Sequence, residues 1–591
     1  MLLARRRIRS RLASFVPPLV LAAAALASLA QGLRAADGPR RHAGDVVRDR
    51  VLVKVSARVA SRVQVVDGRT GIAELDAALA AVGARGVKPV FHYPPRGRAK
   101  PAAAERIGID RWLHVDFGKE RSDLEGVVAR LQALSCVEIA ETDRAVEPTV
   151  IPDDPDYTTN QWDLHPDRTD AETAWDTVND SSGLVVFVID TGVETTHDDI
   201  VNNLWTNTGE IPGDGIDNDG NGFVDDVHGW NFELDDNDLE DHWPHGMHVN
   251  GIIGAEGDNT NKVAGINWHC RLAEGKIFDN GNGTWEGGAA ATTYAADNGG
   301  RVTNNSWGDT VPGPQVFEDA MNYADSLDLL QVAAAGNQGD TNPFWPAAYA
   351  PFLSVASTDS GDNLSWFSSH GNWIDMAAPG ESIWNLWVGD STASLSGTSM
   401  ASPHVCGAGA LVRTVNPQLT NLETRVTLRL AADDLGTPGY DDSFGFGRLD
   451  IKKAVDAAAS IQLSTRDVTR PNSVTISLTQ AGEANMTYLV LAGFSDIVPG
   501  LQLSTFDPAD FRTLPLEFDV LTQFCLYVPN NPVLTGAIGT LDAAGQAQAT
   551  FHSLSGPVFK DRTVSLVYVT LDPADLSHVR FISAPTSFNV H

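Results

Sequence analysis

Apolar and polar positions along this chain follow three successive patterns, each marking a different kind of domain. Between Asp45 and about Pro148, short β-branched runs alternate with helical spacing: strand Val51 to Val55, helix Ile72 to Val82, strand Trp112 to Phe117, helix Asp123 to Leu134, strand Val137 to Glu141. This order predicts a small βαβ-type α+β unit. From about residue 150 strands and helices alternate, and the first strand is a continuous apolar run, as a buried parallel strand is. Leu184 to Ile189 is the first, followed by Leu272 to Phe278, Val302 to Ser306 and Leu329 to Ala335, with helices predicted over Gly288 to Asp297, Phe317 to Ser326, Ala401 to Val412, Thr420 to Ala431 and Leu449 to Ala459. Such alternation requires a doubly wound α/β sheet. After Ile461 the helical period stops. Alternating β-branched runs such as Ser473 to Leu478, Met486 to Leu491 and Thr563 to Val569, separated by Pro, Gly, Asn and Asp turns, predict a β-sandwich-like domain.

Ahead of these lies an apolar, Ala-rich run from about Ala13 to Ala30, preceded by Arg5, Arg6, Arg7, Arg9 and Arg11 and followed by small residues to Ala36. It reads as a secretory signal peptide cut after Ala30 or Ala35. A membrane anchor is the other reading of a run this long, but Pro17-Pro18 and the Ala-rich content favour removal. The expected organisation is a signal peptide at 1–35, an α+β segment at 45–148, an α/β domain at 150–460 and a β-rich domain at 461–591. Export fits the charge. Seventy-six acidic against forty-two basic residues give −34, which lacks the basic footprint of nucleic-acid binding and suits an exported protein or one that holds cations. The four cysteines, Cys136, Cys270, Cys406 and Cys525, are too scattered for a disulfide framework.

The candidate chemistry sits at three places. Ser399, in Ser396-Gly397-Thr398-Ser399-Met400-Ala401-Ser402-Pro403-His404, stands between small residues at the mouth of an apolar helix whose N-terminus favours developing negative charge. Asp190 ends the Leu184 to Ile189 strand, at the carboxyl edge where open α/β sheets gather their catalytic groups. His245 opens a helix in His245-Gly246-Met247-His248-Val249. A carboxylate, an imidazole and a hydroxyl in the order Asp, His, Ser are the parts of a serine nucleophile site. The GxSxG elbow is absent, since Ala401 stands where its last Gly would be.

On Asp190-Thr191-Gly192, His245-Gly246-Met247-His248 and Gly397 to Pro403, the chain resembles the subtilisin-like serine proteases, the subtilase family, over roughly Tyr157 to Ala459. Met247 stands where that family usually has Thr, and Asn250 where it usually has Ala; both flank the base. The resemblance implies a secreted serine endopeptidase acting on proteins or peptides, with Ser399 as nucleophile, His245 as general base and Asp190 as its orienting carboxylate. It implies that 45–148 is a propeptide, both chaperone and inhibitor of the protease, with its tail near Arg144 to Ile151 and removed by the enzyme's own site. Gly336-Asn337 resembles the segment whose Asn donates to the oxyanion, a contribution of roughly 3 to 4 kcal/mol measured on subtilisin itself. Ser306-Trp307-Gly308 resembles the edge on which an extended substrate adds a strand. Gly308 and the row that includes Ala334, with Gly336 beyond it, would line a first specificity pocket without an acidic residue, so apolar or broad preference is expected. Trp345-Pro346-Ala347 resembles a family turn holding a cis proline. His248 and His404 are expected to be structural.

Between Asp190 and His245 runs Asp214-Gly215-Ile216-Asp217-Asn218-Asp219-Gly220-Asn221-Gly222-Phe223-Val224-Asp225-Asp226. Oxygens at Asp217, Asp219 and Asn221 followed by Gly222 reproduce the first half of an EF-hand-type loop, with His228 where its closing Glu would be and Asp225 or Asp226 as substitutes. A structural calcium ion is expected here. A second calcium position comes from resemblance alone: Asp199 and Asn259, with Gln161. The resulting expectation is a secreted, calcium-stabilised, monomeric endopeptidase with no stable membrane anchor, the periplasm or cell surface being other destinations. The competing class is a subtilase-fold binding protein that presents its C-terminal β domain for adhesion.

Overall fold

The computed structural model describes residues 46–591 except 67, 92–107, 120, 122, 145–149, 280–281 and several stretches between 469 and 578. The signal-peptide reading of 1–35, most of the expected propeptide tail and Cys525 lie outside the described residues. The chain divides into two compact units, residues 1–147 and 148–591.

In the first unit Val46–Val55, Trp112–Asp116, Gly86–Pro89 and Val137–Arg144 form one four-stranded sheet, with Val46–Val55 between Trp112–Asp116 and Val137–Arg144. Every neighbouring pair is antiparallel, so Val46–Val55 runs parallel to Gly86–Pro89 and Trp112–Asp116 to Val137–Arg144, each across one intervening strand and joined through a helix: the expected βαβ units are present in split form. Helices Ala73–Ala81 and Leu124–Gln132 bury Leu75, Leu79, Val127 and Leu131 with the strand residues Val51, Val53, Leu113 and Val115. The strand Gly86–Pro89 left no sequence signal because four residues ending in Pro carry too little alternation.

The second unit is organised by a seven-stranded, wholly parallel sheet. Its elements are β1 (Val185–Asp190), β2 (Gly229–Asn231), α1 (His245–Gly254), β3 (Leu272–Lys276), α2 (Trp285–Asp297), β4 (Gly300–Asn305), α3 (Gln315–Ser326), β5 (Leu330–Ala334), β6 (Phe352–Thr358), β7 (Met376–Pro379), α4 (Thr398–Val415), α5 (Asn421–Ala431) and α6 (Ile451–Ala459). Strand order is β7-β6-β5-β4-β1-β3-β2. The order reverses at β1, because the chain leaves it for β2 and β3 on one side and then crosses to β4 on the other. Such a switch point opens a crevice at the carboxyl ends of the strands. β1, β3, β5 and β6 are buried along their whole length, which is why β1 reads as an unbroken apolar run, while β3 carries the polar Glu274 and Lys276 into the interior. Helix α4 is buried from Thr398 to Arg413 and packs against α1.

Beyond α6 the chain forms a four-stranded and a six-stranded sheet. Their inner residues, among them Val474, Ile476, Leu566, Tyr568 and Phe588, belong to the same apolar core as α4 and α6. Arg466 pairs with the buried Glu423 of α5 at 2.9 Å, and Ser587 donates to the same carboxylate at 2.6 Å. Glu423 also completes the capping box of α5 with Thr420.

Candidate active site

Asp190 is the last residue of β1 and is 1% exposed. Its Oδ1 accepts from the Thr191 N–H at 2.8 Å and lies 2.7 Å from His245 Nδ1. His245 is the first residue of α1, and the turn at the end of β1 sets where that helix begins. The Gly246 N–H donates to Thr191 Oγ1 at 2.7 Å, and a Cβ on Gly246 would stand 2.4 Å from the Gly192 carbonyl oxygen. Only glycine permits that approach. Asp241 caps the helix start from outside. It accepts from the Met247 N–H at 2.8 Å and the Trp243 N–H at 2.9 Å, and from the Thr191 hydroxyl at 2.9 Å. Sequence reading missed Asp241, since a helix whose preceding residue is Pro244 shows no capping signal.

The His245 ring is about a quarter exposed. Burial works against its charged form, but the Asp190 charge and hydrogen bond outweigh that and raise its pKa above the ordinary histidine value. The far nitrogen, Nε2, makes no hydrogen bond with a described residue. His248, one turn later, is wholly buried with Nε2 beside the Ile383 and Ala393 carbonyls, and burial lowers its pKa to about 3.

Ser399 lies in the first turn of α4, whose N–H groups have no acceptor within the helix. Its hydroxyl donates to the Ser306 carbonyl at 3.2 Å, while the Ser306 hydroxyl donates to the Ser399 carbonyl at 2.8 Å and meets Ser402 Oγ at 2.9 Å. These bonds tie the Ser399 turn to the carboxyl end of β4. A buried pair anchors the helix further on: His404 Nε2 lies 2.9 Å from Asp163 Oδ2, and Nδ1 lies 2.8 Å from the Met400 carbonyl.

Asn337 follows β5 and is exposed, but its amide is fixed. Oδ1 accepts from the Thr398 N–H at 2.8 Å and the Thr398 hydroxyl at 2.9 Å, while Thr398 Oγ1 accepts from the Gly336 N–H at 3.0 Å. With its oxygen used, the Nδ2 group has no acceptor among the described residues and is free to donate. Gly336 holds φ at 97°, which a side chain would resist, and a Cβ there would meet Phe344 at 2.6 Å. Phe344 also closes on Gly308, and no sequence signal marked it. At the expected substrate edge the half-buried Trp307 ring packs edge-on against Trp285 and Phe317. Ala334 is 2% exposed, and the Trp345–Pro346 bond is cis.

The acidic loop gathers differently from its motif. Oxygens of Asp217 and Asp219 converge with one from Glu210, all within 4.8 Å of one another. Glu210 was not singled out from sequence, because it lies seven residues before Asp217. Asp225 is turned to other work, accepting from the Gly213, Asp214 and Gly215 N–H groups. Asp226 accepts from Asn207, Asn221 and the Tyr294 hydroxyl, and Asn221 Oδ1 takes the Phe223 N–H. At the second position Asp199 accepts from Asn259 Nδ2 at 2.8 Å and the Val263 N–H at 3.2 Å, and burial raises its pKa to about 7. Nearby Asp154 is buried with Oδ1 unpartnered, its pKa raised by burial to about 6. Gln161 is occupied by both backbone groups of Ala264. A third cluster, His197, Asp198 and Asp390, already holds a cation, since Lys262 Nζ bridges both carboxylates at 2.6 and 2.7 Å.

A parallel sheet carrying a tied Asp–His pair, a helix-mouth serine and a fixed amide donor at one edge defines a hydrolase of the serine-nucleophile class. Residues 181–447 match the model of the subtilase family. The chain is 36% identical over 306 residues to thermitase of Thermoactinomyces vulgaris, an alignment that covers 51% of this chain and 99% of that protein. It is 37% identical over 335 residues to the thermophilic serine proteinase of Bacillus sp. strain AK1, covering 56% and 76%. It is 33% identical over 319 residues to the halolysin-like extracellular serine protease Nep of Natrialba magadii, covering 54% and 55%. The chain belongs to the subtilase family, with the α/β subtilisin fold, and is a serine endopeptidase. Among the described residues no helix is long and apolar enough to cross a membrane.

Proposed function

We propose that this endopeptidase cleaves proteins and peptides through Asp190, His245 and Ser399. The observation that carries the reading is the 2.7 Å bond between His245 Nδ1 and a buried Asp190 carboxylate, which leaves Nε2 free. As substrate arrives, the Ser399 hydroxyl leaves the Ser306 carbonyl for His245 Nε2. Oγ then attacks the scissile carbonyl carbon as His245 takes the proton, which it later delivers to the leaving amine; Asp190 orients the ring and stabilises the imidazolium. The oxyanion is met by Asn337 Nδ2 and the Ser399 N–H. Water repeats the sequence on the acyl-enzyme and restores Ser399. The Ser306 to Gly308 backbone would align the peptide, with Ala334 and Gly336 in the wall of an apolar first pocket.

Calcium suits the carboxylate sets as a hard cation that takes oxygen ligands. Glu210, Asp217 and Asp219 would hold one ion, and Asp154, Asp199 and Asn259 another, the unpartnered Asp154 oxygen being the support for the second. When bound, the ion supplies charge compensation and order, and no bond is made or broken through it. We further propose that the chain is exported, that residues 45–148 act as chaperone and inhibitor, and that the enzyme removes them itself. Support comes from the Arg-rich, Ala-rich leader and the independent α+β unit. The test is Ser399→Ala, which should abolish hydrolysis and leave the precursor uncut; normal maturation of that variant would refute self-processing.

A further inference from the structure

Behind the His245 helix lies a carboxyl group for which the catalytic sequence has no use. Glu274 is in β3 and is 1% exposed. The β1–β3 register pairs Val188 with Glu274 and Asp190 with Lys276, which puts Glu274 on the same face of the sheet as Asp190, one residue pair deeper. Glu274 Oε2 accepts from Asn250 Nδ2 at 2.9 Å, and that amide also donates to the Gly246 carbonyl at 2.9 Å. One amide therefore connects the first turn of α1, beside the general base, to a carboxyl group rooted in the central sheet. Oε1 is buried and has no partner.

We propose that Glu274 and Asn250 form a buried clamp of a neutral carboxylic acid and an amide that positions the first turn of α1, and with it His245. Both are positioning residues, since neither reaches the reacting atoms, and the proposal rests on His245 being the base. An ionised carboxylate with an orphaned oxygen in a dry core is costly, whereas the neutral acid keeps the Asn250 bond without the charge. The charged groups around Glu274 favour the neutral form. Asp190 on β1 and Asp241 ahead of α1 add negative charge, and Lys276 on β3 adds positive charge, its Nζ donating to the Glu240 carbonyl at 2.8 Å. Burial first, then Asp190 and Asp241, hold this carboxyl well above the usual range. Neutrality also matters to the site. A second negative charge behind Asp190 would draw the imidazolium form of His245 to higher pH and narrow the range in which the base is free.

The test has two arms on the full chain. In a Ser399→Ala background, which prevents autolysis, thermal midpoints are measured across pH 5 to 9 for the parent and Glu274→Gln. A carboxyl raised in the fold loses its stability contribution as pH rises above its unfolded value of about 4.5. Glutamine does not titrate, so its advantage should grow with pH. An advantage that stays flat or shrinks means that Glu274 is ionised, and overturns the proposal. In the active chain, Glu274→Leu and Asn250→Ala should each lower kcat about tenfold with KM unchanged, and the double variant should lose no more than the worse single. Glu274→Gln should stay within twofold of the parent with the same acid limb in kcat/KM. Full activity of Glu274→Leu or Asn250→Ala, a Glu274→Gln loss as large as that of Leu, or an acid limb moved down by half a unit in Glu274→Gln would each contradict it. If His245→Ala kept activity, the catalytic reading would fail instead, and the stability arm would still decide the state of Glu274.

Discussion

The switch-point cleft and the acidic loop from Asn207 to His228 are both dense in polar side chains, yet they spend their hydrogen bonds in opposite ways. In the cleft the atoms that fix Asn337 and His245 are bonded and the opposite atoms of the same groups are left over, while Asp190 Oδ2 is buried without a partner. Asn337 uses its oxygen on Thr398 and keeps its Nδ2 group, and His245 uses Nδ1 on Asp190 and keeps Nε2. In the loop almost every carboxylate turns back on its own backbone: Asp217 takes the Gly220, Asn221 and Gly222 N–H groups, and Asp225 takes three more. A site for transient substrates needs pre-oriented donors with nothing bound. A cation site needs only several oxygens brought close, and these same oxygens can also brace the turn. Geometry is therefore a sharper guide to the cleft than to the loop.

The comparison breaks first at Ser399. Ser399→Ala should cost on the order of 10⁶ in kcat, because members of such a triad act as a unit, and hydrolysis of a chromogenic peptide by the purified variant measures it. Asn337→Ala comes next. It should lower kcat roughly a hundredfold to a thousandfold with little change in KM, since the donor acts on the oxyanion and not on bound substrate; an effect confined to KM would place Asn337 outside that role.

The loop should respond through stability. At calcium a hundredfold above its dissociation constant, the native state gains roughly 2.7 kcal/mol by mass action. Chelation should lower the thermal midpoint and bring autolytic cuts within residues 210 to 230. Asp217→Ala with Asp219→Ala should remove the loop's share of that response, and Asp199→Asn the share of the second position. Whichever variant keeps the parent's bound calcium and chelator response identifies carboxylates that only brace the fold. The smallest effect expected is in pH dependence. The general base must be neutral to accept a proton, and His245 titrates above its ordinary value, so kcat/KM should fall on the acid side with a midpoint above about 6.5. A midpoint below 6 would show that the Asp190 bond does not stabilise the charged ring.

What was legible in the sequence was whatever chemistry writes locally. The central strand β1 showed as an apolar run because both faces of a parallel sheet are covered, and Asp190, His245 and Ser399 each carried a motif of neighbours that the structure explains: Gly192 and Gly246 by a close backbone approach, Thr398 by its grip on Asn337. Partners that lie outside a motif's own span were not legible. Glu210, Asp154, Asp241 and Phe344 have unremarkable neighbours and become visible only when folding brings them to Asp219, Asp199, Met247 and Gly308. Asn250 stood out as an unusual residue, but Glu274, the partner that makes a buried amide tolerable there, lies twenty-four positions away on strand β3. The Trp307 side chain shows the converse error, in which a motif placed the backbone and said nothing about where the ring would go.

The central claim is that Ser399 is a nucleophile activated by His245. An organophosphorus fluoridate, which phosphorylates activated serine hydroxyls with loss of fluoride, tests it directly when the labelled protein is digested and its peptides are weighed. The account predicts one phosphoryl group per chain on Ser399, activity lost in step with labelling, and no labelling in His245→Ala. Activity lost with Ser399 unmodified, or equal labelling of Ser399 in His245→Ala, would contradict it.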